Sequence, residues 1–145
     1  MKKDEIMKEA LIRAALHART HSYAPYSNYL VGAALLTDDH TIIEGSNIEN
    51  ASYGATNCAE RTAFFKAVSE GFTHFSMIAI AGGPDTDDKH CVSDFAYPCG
   101  ICRQVMREFC DPDTFRVIVA RSVDDYEIYT LSELLPHSFG PENLS

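Results

Sequence analysis

Apolar and polar positions alternate along the chain in two periods, and these periods divide it into helices and strands. Residues 4–20 set Ile6, Ala10, Leu11, Ala14, Ala15 and Leu16 among charged positions, a spacing that predicts an amphipathic first helix. Pro25, in Tyr23-Ala24-Pro25-Tyr26-Ser27, breaks that pattern. Leu30 to Leu36 is a continuous apolar run that predicts a buried strand. Thr37 to His40 reads as its turn, and Thr41 to Ser46 as the strand that returns beside it. Residues 58–70 resume helical spacing, with Ala59, Ala63, Phe64, Ala67 and Val68 on one side. Met77 to Ala81 predicts a short strand, and the Gly- and Asp-rich stretch from Gly82 to Tyr97 a loop. A helix over 99–110, strands over Phe115 to Ala120 and Glu127 to Thr130, and a helical turn at Leu131 to Leu135 complete the series. Helices alternating with apolar strands predict a layered α/β fold. No repeat, low-complexity segment or linker interrupts it, so residues 1–145 read as one domain.

Charge narrows the partners. The net charge is -9, and no run of Lys and Arg offsets it locally. A nucleic-acid partner is therefore not expected, because phosphate neutralisation supplies most of the nonspecific affinity for such polymers. No apolar run approaches the roughly 20 residues that span a bilayer, so no membrane partner is expected either. The charged start, Lys2-Lys3-Asp4-Glu5, leads into an amphipathic pattern without a signal-peptide core, which predicts a cytoplasmic location. Thiols stay reduced there, so the five cysteines, at 58, 91, 99, 102 and 110, point to metal binding or chemistry rather than to disulfides.

Two segments carry that chemistry: Asn57-Cys58-Ala59-Glu60-Arg61 and Pro98-Cys99-Gly100-Ile101-Cys102, each at the predicted start of a helix. Cys99 and Cys102, three apart, share one face of a helical turn and can reach one ion. Cys58 and Glu60 converge only if Cys58 sits in the very first turn, with Asn57 as the expected cap. Three thiolates leave zinc one open position, which marks a catalytic rather than a structural site. A water there is acidified towards hydroxide, and Glu60 beside it is placed to take and return a proton. A zinc ion with three thiolates carries a formal charge of -1. Helix N-termini offset part of that charge, and Arg61 is expected to offset more by donating to the sulfurs.

Cys58-Ala59-Glu60 followed by Pro98-Cys99-Gly100-Ile101-Cys102 is the all-cysteine form of the zinc deaminase signature. The chain resembles the small homotetrameric cytidine deaminases more widely. Tyr23-Ala24-Pro25-Tyr26-Ser27, Val31 to Leu35, Asn47-Ile48-Glu49-Asn50, Cys102-Arg103-Gln104-Val105 and Glu133-Leu134-Leu135-Pro136 all match, in order and at the family's spacing. The resemblance implies a three-layer α/β/α fold with a mixed central sheet of about five strands, one Zn2+ per subunit, and a homotetramer. It implies hydrolytic deamination of cytidine and deoxycytidine to uridine and deoxyuridine, with release of ammonia, in pyrimidine salvage. It also implies roles residue by residue. Asn47 and Glu49 match the pair that binds the ribose hydroxyls, and Ala59 falls among the substrate-binding positions. Tyr29 stands where the family usually has Phe against the base, and Phe139 matches an aromatic that reaches into a neighbouring subunit's pocket.

Other readings of these residues stay open at this stage. A blasticidin-S-type small-molecule deaminase would share the zinc chemistry without the sugar-binding pattern. A zinc-stabilised binding module without turnover would close the metal site with a fourth ligand. Cys110 lies about 12 Å along its helix from Cys102 by the helical rise, too far to serve, whereas Cys91 in the long loop is not excluded by spacing. His17 and His21 share a helical spacing of four, with nothing else in the sequence to mark them as a second metal site.

Overall fold

A computed structural model describes residues 2–145; Met1 lies outside them. Helix α1 (Lys2–Ala18) continues into a 3-10 turn, Arg19–His21, and is followed by strands β1 (Tyr29–Thr37) and β2 (Ile42–Ser46). Helix α2 (Ala59–Ser69), strand β3 (Phe75–Pro84), helix α3 (Gly100–Phe109), strands β4 (Arg116–Ser122) and β5 (Asp125–Thr130), and the short helix α4 (Leu131–Leu134) complete the order. The five strands form one mixed sheet in the order β2-β1-β3-β4-β5, in which only β3 and β4 run parallel.

Alternation along the central strands sorts the core into two layers. Ala33 and Leu35, Ile78 and Ile80, and Val117 and Val119 face α2 and α3, where Phe64, Met106 and Phe115 complete the packing. Ala34 and Leu36, Met77 and Ala79, and Ile118 and Ala120 face the opposite way, onto Leu11, Ile12 and Ala15 of α1. Both faces are therefore covered, which makes the three-layer α/β/α arrangement and explains why the central strands read as unbroken apolar runs.

Strand β3 is longer than the expected Met77 to Ala81, because it pairs with β1 end to end, from Thr37 opposite Phe75 to Tyr29 opposite Pro84. Gly82 marks close approach rather than a loop: a Cβ there would lie 2.8 Å from the Ala96 Cβ. The returning segment passes directly over the strand end. Arg19 fixes this corner. Its buried guanidinium donates to the carbonyls of Leu30, Gly83 and Pro84.

Gly45 sets the position of α2. A Cβ at that position would come within 2.5 Å of both the Ala59 carbonyl oxygen and the Ala63 nitrogen. The first turn of α2 thus rests directly on β2, and the residues that begin the helix are held at the edge of the sheet.

Candidate active site

Cys58 and Cys99 are the N-cap residues of α2 and α3, with extended backbone at φ/ψ of -75°/155° and -70°/167°. The expected cap, Asn57, lies one residue outside. Its backbone pairs with Ile48, and its side-chain amide donates to the Thr62 hydroxyl. The cap position suits a ligand, because an N-cap side chain projects back over the free N–H groups of the first turn. Neither cysteine makes a capping hydrogen bond, so neither sulfur is taken up by its own helix end. Cys102 follows on the first turn of α3, buried.

The three sulfurs converge. Cys58 and Cys99 are separated by 3.8 Å and Cys99 and Cys102 by 3.5 Å, and all three lie within 4.8 Å of one another. Tetrahedral zinc with bonds of about 2.3 Å spaces its sulfurs about 3.8 Å apart, so the cluster fits the ion. A disulfide, at about 2.05 Å between sulfurs, is not formed. No fourth thiol joins among the described residues: Cys110 is packed in the core and Cys91 is exposed outside the cluster.

Cys58 is the thiol biased towards ionisation. Cys58 falls to about 5 because the Cys102 thiol and the Arg61 guanidinium donate to its sulfur; Cys102, which gives up that hydrogen bond on ionising, is pushed upward. The Arg61 Nη2 to Cys58 Sγ distance is 3.3 Å. Glu60, on the first turn of α2, is only 4% exposed. Burial first, and the Cys58 thiolate second, push its carboxyl up to about 7.

A cavity of about 300 Å³ opens at these groups and includes Cys58, Ala59, Glu60 and Cys99 in its wall. The same wall contains Tyr29, Asn47 and Glu49, so residues from four distant segments share one space. Asn47 is clasped by β1: its Oδ1 accepts from the Val31 N–H at 2.9 Å and its Nδ2 donates to the Tyr29 carbonyl at 2.8 Å. One amide hydrogen and one oxygen lone pair remain for a ligand. Glu49 accepts from the Tyr26 and Ser27 N–H groups and from the Ser27 hydroxyl, and these donors lower its carboxyl below the usual range. The Tyr29 hydroxyl has found a partner, donating to Asp94 at 3.3 Å. Phe139 does not line this cavity; it is exposed beyond α4, with its carbonyl accepting from Gln104.

Sequence reasoning missed Thr56, Ala96 and Tyr97 and read Asn57 only as a cap, yet all four line the cavity. Tyr97 had a signal in its place immediately before Pro98-Cys99. Its hydroxyl donates at 2.6 Å to the Glu127 carboxylate, which also accepts from the Tyr129 hydroxyl, so β5 braces this side of the cavity.

Residues 5–119 match the family model of the cytidine and deoxycytidylate deaminase zinc-binding region. The chain belongs to this deaminase family. Among relatives of this deaminase, the cytidine deaminase of Halalkalibacterium halodurans is 49% identical over 138 residues, covering 95% of this chain and 98% of the relative. That of Sporosarcina psychrophila is 47% identical over 137 residues, 94% of each chain. The crystal structure of cytidine deaminase from Burkholderia pseudomallei is 45% identical and superposes with a TM-score of 0.76, covering 90% of this deaminase and 97% of that chain. The five-stranded mixed sheet with its flanking helices is thus a deaminase fold, and zinc is the ion its three cysteines suit.

Proposed function

We propose that the protein removes the amino group of free cytidine and deoxycytidine by hydrolysis, giving uridine and deoxyuridine with release of ammonia. The observation that carries this reading is the single cavity that brings Glu60 and the cysteine sulfurs together with Asn47 and Glu49. Its volume of about 300 Å³ suits one small ligand, at the lower end of the usual range for such sites.

Cys58, Cys99 and Cys102 would hold the zinc, and Arg61 would draw negative charge from the Cys58 sulfur. When bound, zinc supplies Lewis acidity that makes a water nucleophilic at neutral pH. Glu60 handles the protons. Burial pushes its carboxyl upward, towards the range in which one group can serve as base and then as acid. Glu60 takes one proton from the water as the oxygen adds to C4 and gives it to the ring nitrogen, then takes the second from the new C4 hydroxyl and gives it to the amine as the C4=O bond forms. The C4–N4 bond breaks and ammonia leaves.

Asn47 and Glu49 would hydrogen-bond the sugar hydroxyls, while Tyr29 and Ala59 contribute wall against the base. A neutral nucleoside suits a chain of net charge -9 better than a polynucleotide does. Among the described residues, no helix is long and apolar enough to cross a membrane. A cytoplasmic setting suits three thiols that must stay reduced. A homotetramer would give Phe139, 58% exposed and outside its own cavity, a neighbouring subunit's cavity to enter.

The test is the ultraviolet absorbance of cytidine and of deoxycytidine mixed with zinc-loaded protein, beside Glu60→Gln. Loss of the cytidine band with wild type alone supports the reading. No loss with either nucleoside, but turnover of blasticidin S, would move the substrate to that antibiotic.

A further inference from the structure

Among the described residues one other group of metal-ligating side chains converges, and it lies outside the cavity. His17 lies in the last turn of α1, His21 ends the following 3-10 turn, and Glu44 lies in the middle of β2. Their potential ligand atoms all fall within 4.8 Å of one another. His17 Nδ1 is 3.0 Å from Glu44 Oε1, and the two imidazole rings stand 5.3 Å apart at 79°.

The fold imposes this meeting. A spacing of four places both histidines on one side of a continuous helical stretch. Alternation along β2 puts Glu44 on the face opposite buried Ile43 and Gly45, towards α1. Ser46, two residues on and on the same face, locks the register by donating to the Ala18 carbonyl at 2.8 Å. The C-terminal end of α1 also presents the negative pole of its dipole to the group.

We propose that His17, His21 and Glu44 form a second metal site, taking one divalent ion of the zinc or nickel type. Two imidazole nitrogens and a carboxylate oxygen are a donor set these ions favour, distinct from the softer thiolate cluster. The His17 and Glu44 side chains are 62% and 34% exposed, so an ion enters freely and completes its shell with water. Lys66, whose ammonium donates to the Glu44 carbonyl at 3.0 Å, is a nearby positive charge and keeps the affinity moderate. An ion held here ties the end of α1 to the edge strand that runs directly into Asn47 and Glu49.

The test is nickel titration, by calorimetry, of protein loaded with a single zinc per chain and freed of excess metal, with zinc retention followed by elemental analysis and unfolding temperature measured in parallel. The expected result is one nickel per chain at micromolar affinity, with zinc retained and the unfolding temperature raised. His21→Ala and Glu44→Gln should each weaken nickel binding at least tenfold and remove the temperature rise. Both should leave the unfolding temperature of the nickel-free, zinc-loaded protein unchanged, which separates loss of the site from loss of the fold. Uptake only by displacement of zinc overturns the proposal, as does uptake that survives both substitutions.

Discussion

Arg61 donates through Nη2 to the sulfur of Cys58 at 3.3 Å, while its own Nε is buried without a hydrogen-bond partner. If this guanidinium draws charge from the Cys58 sulfur, as proposed above, its loss has a measurable effect. Hydrogen bonds to charged groups contribute about 1.5–3 kcal/mol, so zinc-loaded Arg61→Gln should lose about 10–100-fold in kcat, with KM little altered. The pH dependence of kcat should move upward as well. Steady-state rates across pH check this, and an unchanged profile together with unchanged turnover would refute the role.

Glu60 makes the site costly to fold. Its carboxyl, near 7 in the fold against 4.5 ordinarily, keeps a proton that the unfolded chain has already lost. Stability is therefore fullest below about 4.5 and declines as pH rises towards 7. In metal-free protein, Glu60→Gln should raise stability at neutral pH by on the order of 2 kcal/mol, with the gain shrinking near about pH 5. The same substitution should lower the turnover of zinc-loaded protein by about 10²–10⁴-fold. Thermal unfolding at the two pH values decides the first half; equal stability at both would contradict it.

The low Cys58 value predicts a reactive thiol once metal is removed. After chelation, iodoacetamide at about pH 6.5 should modify Cys58, which is largely thiolate above about 5. Buried Cys110 should stay unmodified, because desolvation pushes its thiol upward. Exposed Cys91 should label with or without metal and serve as reference. Peptide mass spectrometry reads the pattern, and zinc that gives Cys58 no protection would count against its role as a ligand.

Gly45 connects stability to the site. Gly45→Val drives a side chain into the backbone of Ala59 and Ala63 and should cost at least about 1–3 kcal/mol, the usual range for overpacking. The first turn of α2 must then lift, carrying Cys58 and Glu60 with it. Zinc content and unfolding temperature should fall together in this variant. A loss of stability at full zinc content would show that the helix end is held by something other than this contact.

The three clustered cysteines and neighbouring Glu60 were legible because they are contiguous: Cys58, Glu60, Cys99 and Cys102 lie in two short segments whose helical placement follows from periodicity. The sheet core was legible for the same reason, its strands being apolar on both faces. Side chains whose meaning depends on another segment were harder to read. Gly82 looks like a loop residue until Ala96 is seen lying over it. Asn57 has the composition of a cap, but Cys58 takes the cap position and Asn57 turns to Thr62. His17 and His21 gain their interest only from Glu44, 27 residues beyond His17 and brought across by the hairpin.

The placement of the ligand cysteines at helix starts has a consequence for chain length. Each residue added to a helix turns everything behind it by about 100°. One extra residue between Cys58 and Glu60, or between Cys99 and Cys102, would swing a working side chain out of the cavity however well the remainder packed. The exposed stretch from Asp88 to Cys91 carries no such phase. Insertions and fused tags have room there, while in the two helical starts a side chain is easier to change than the number of residues.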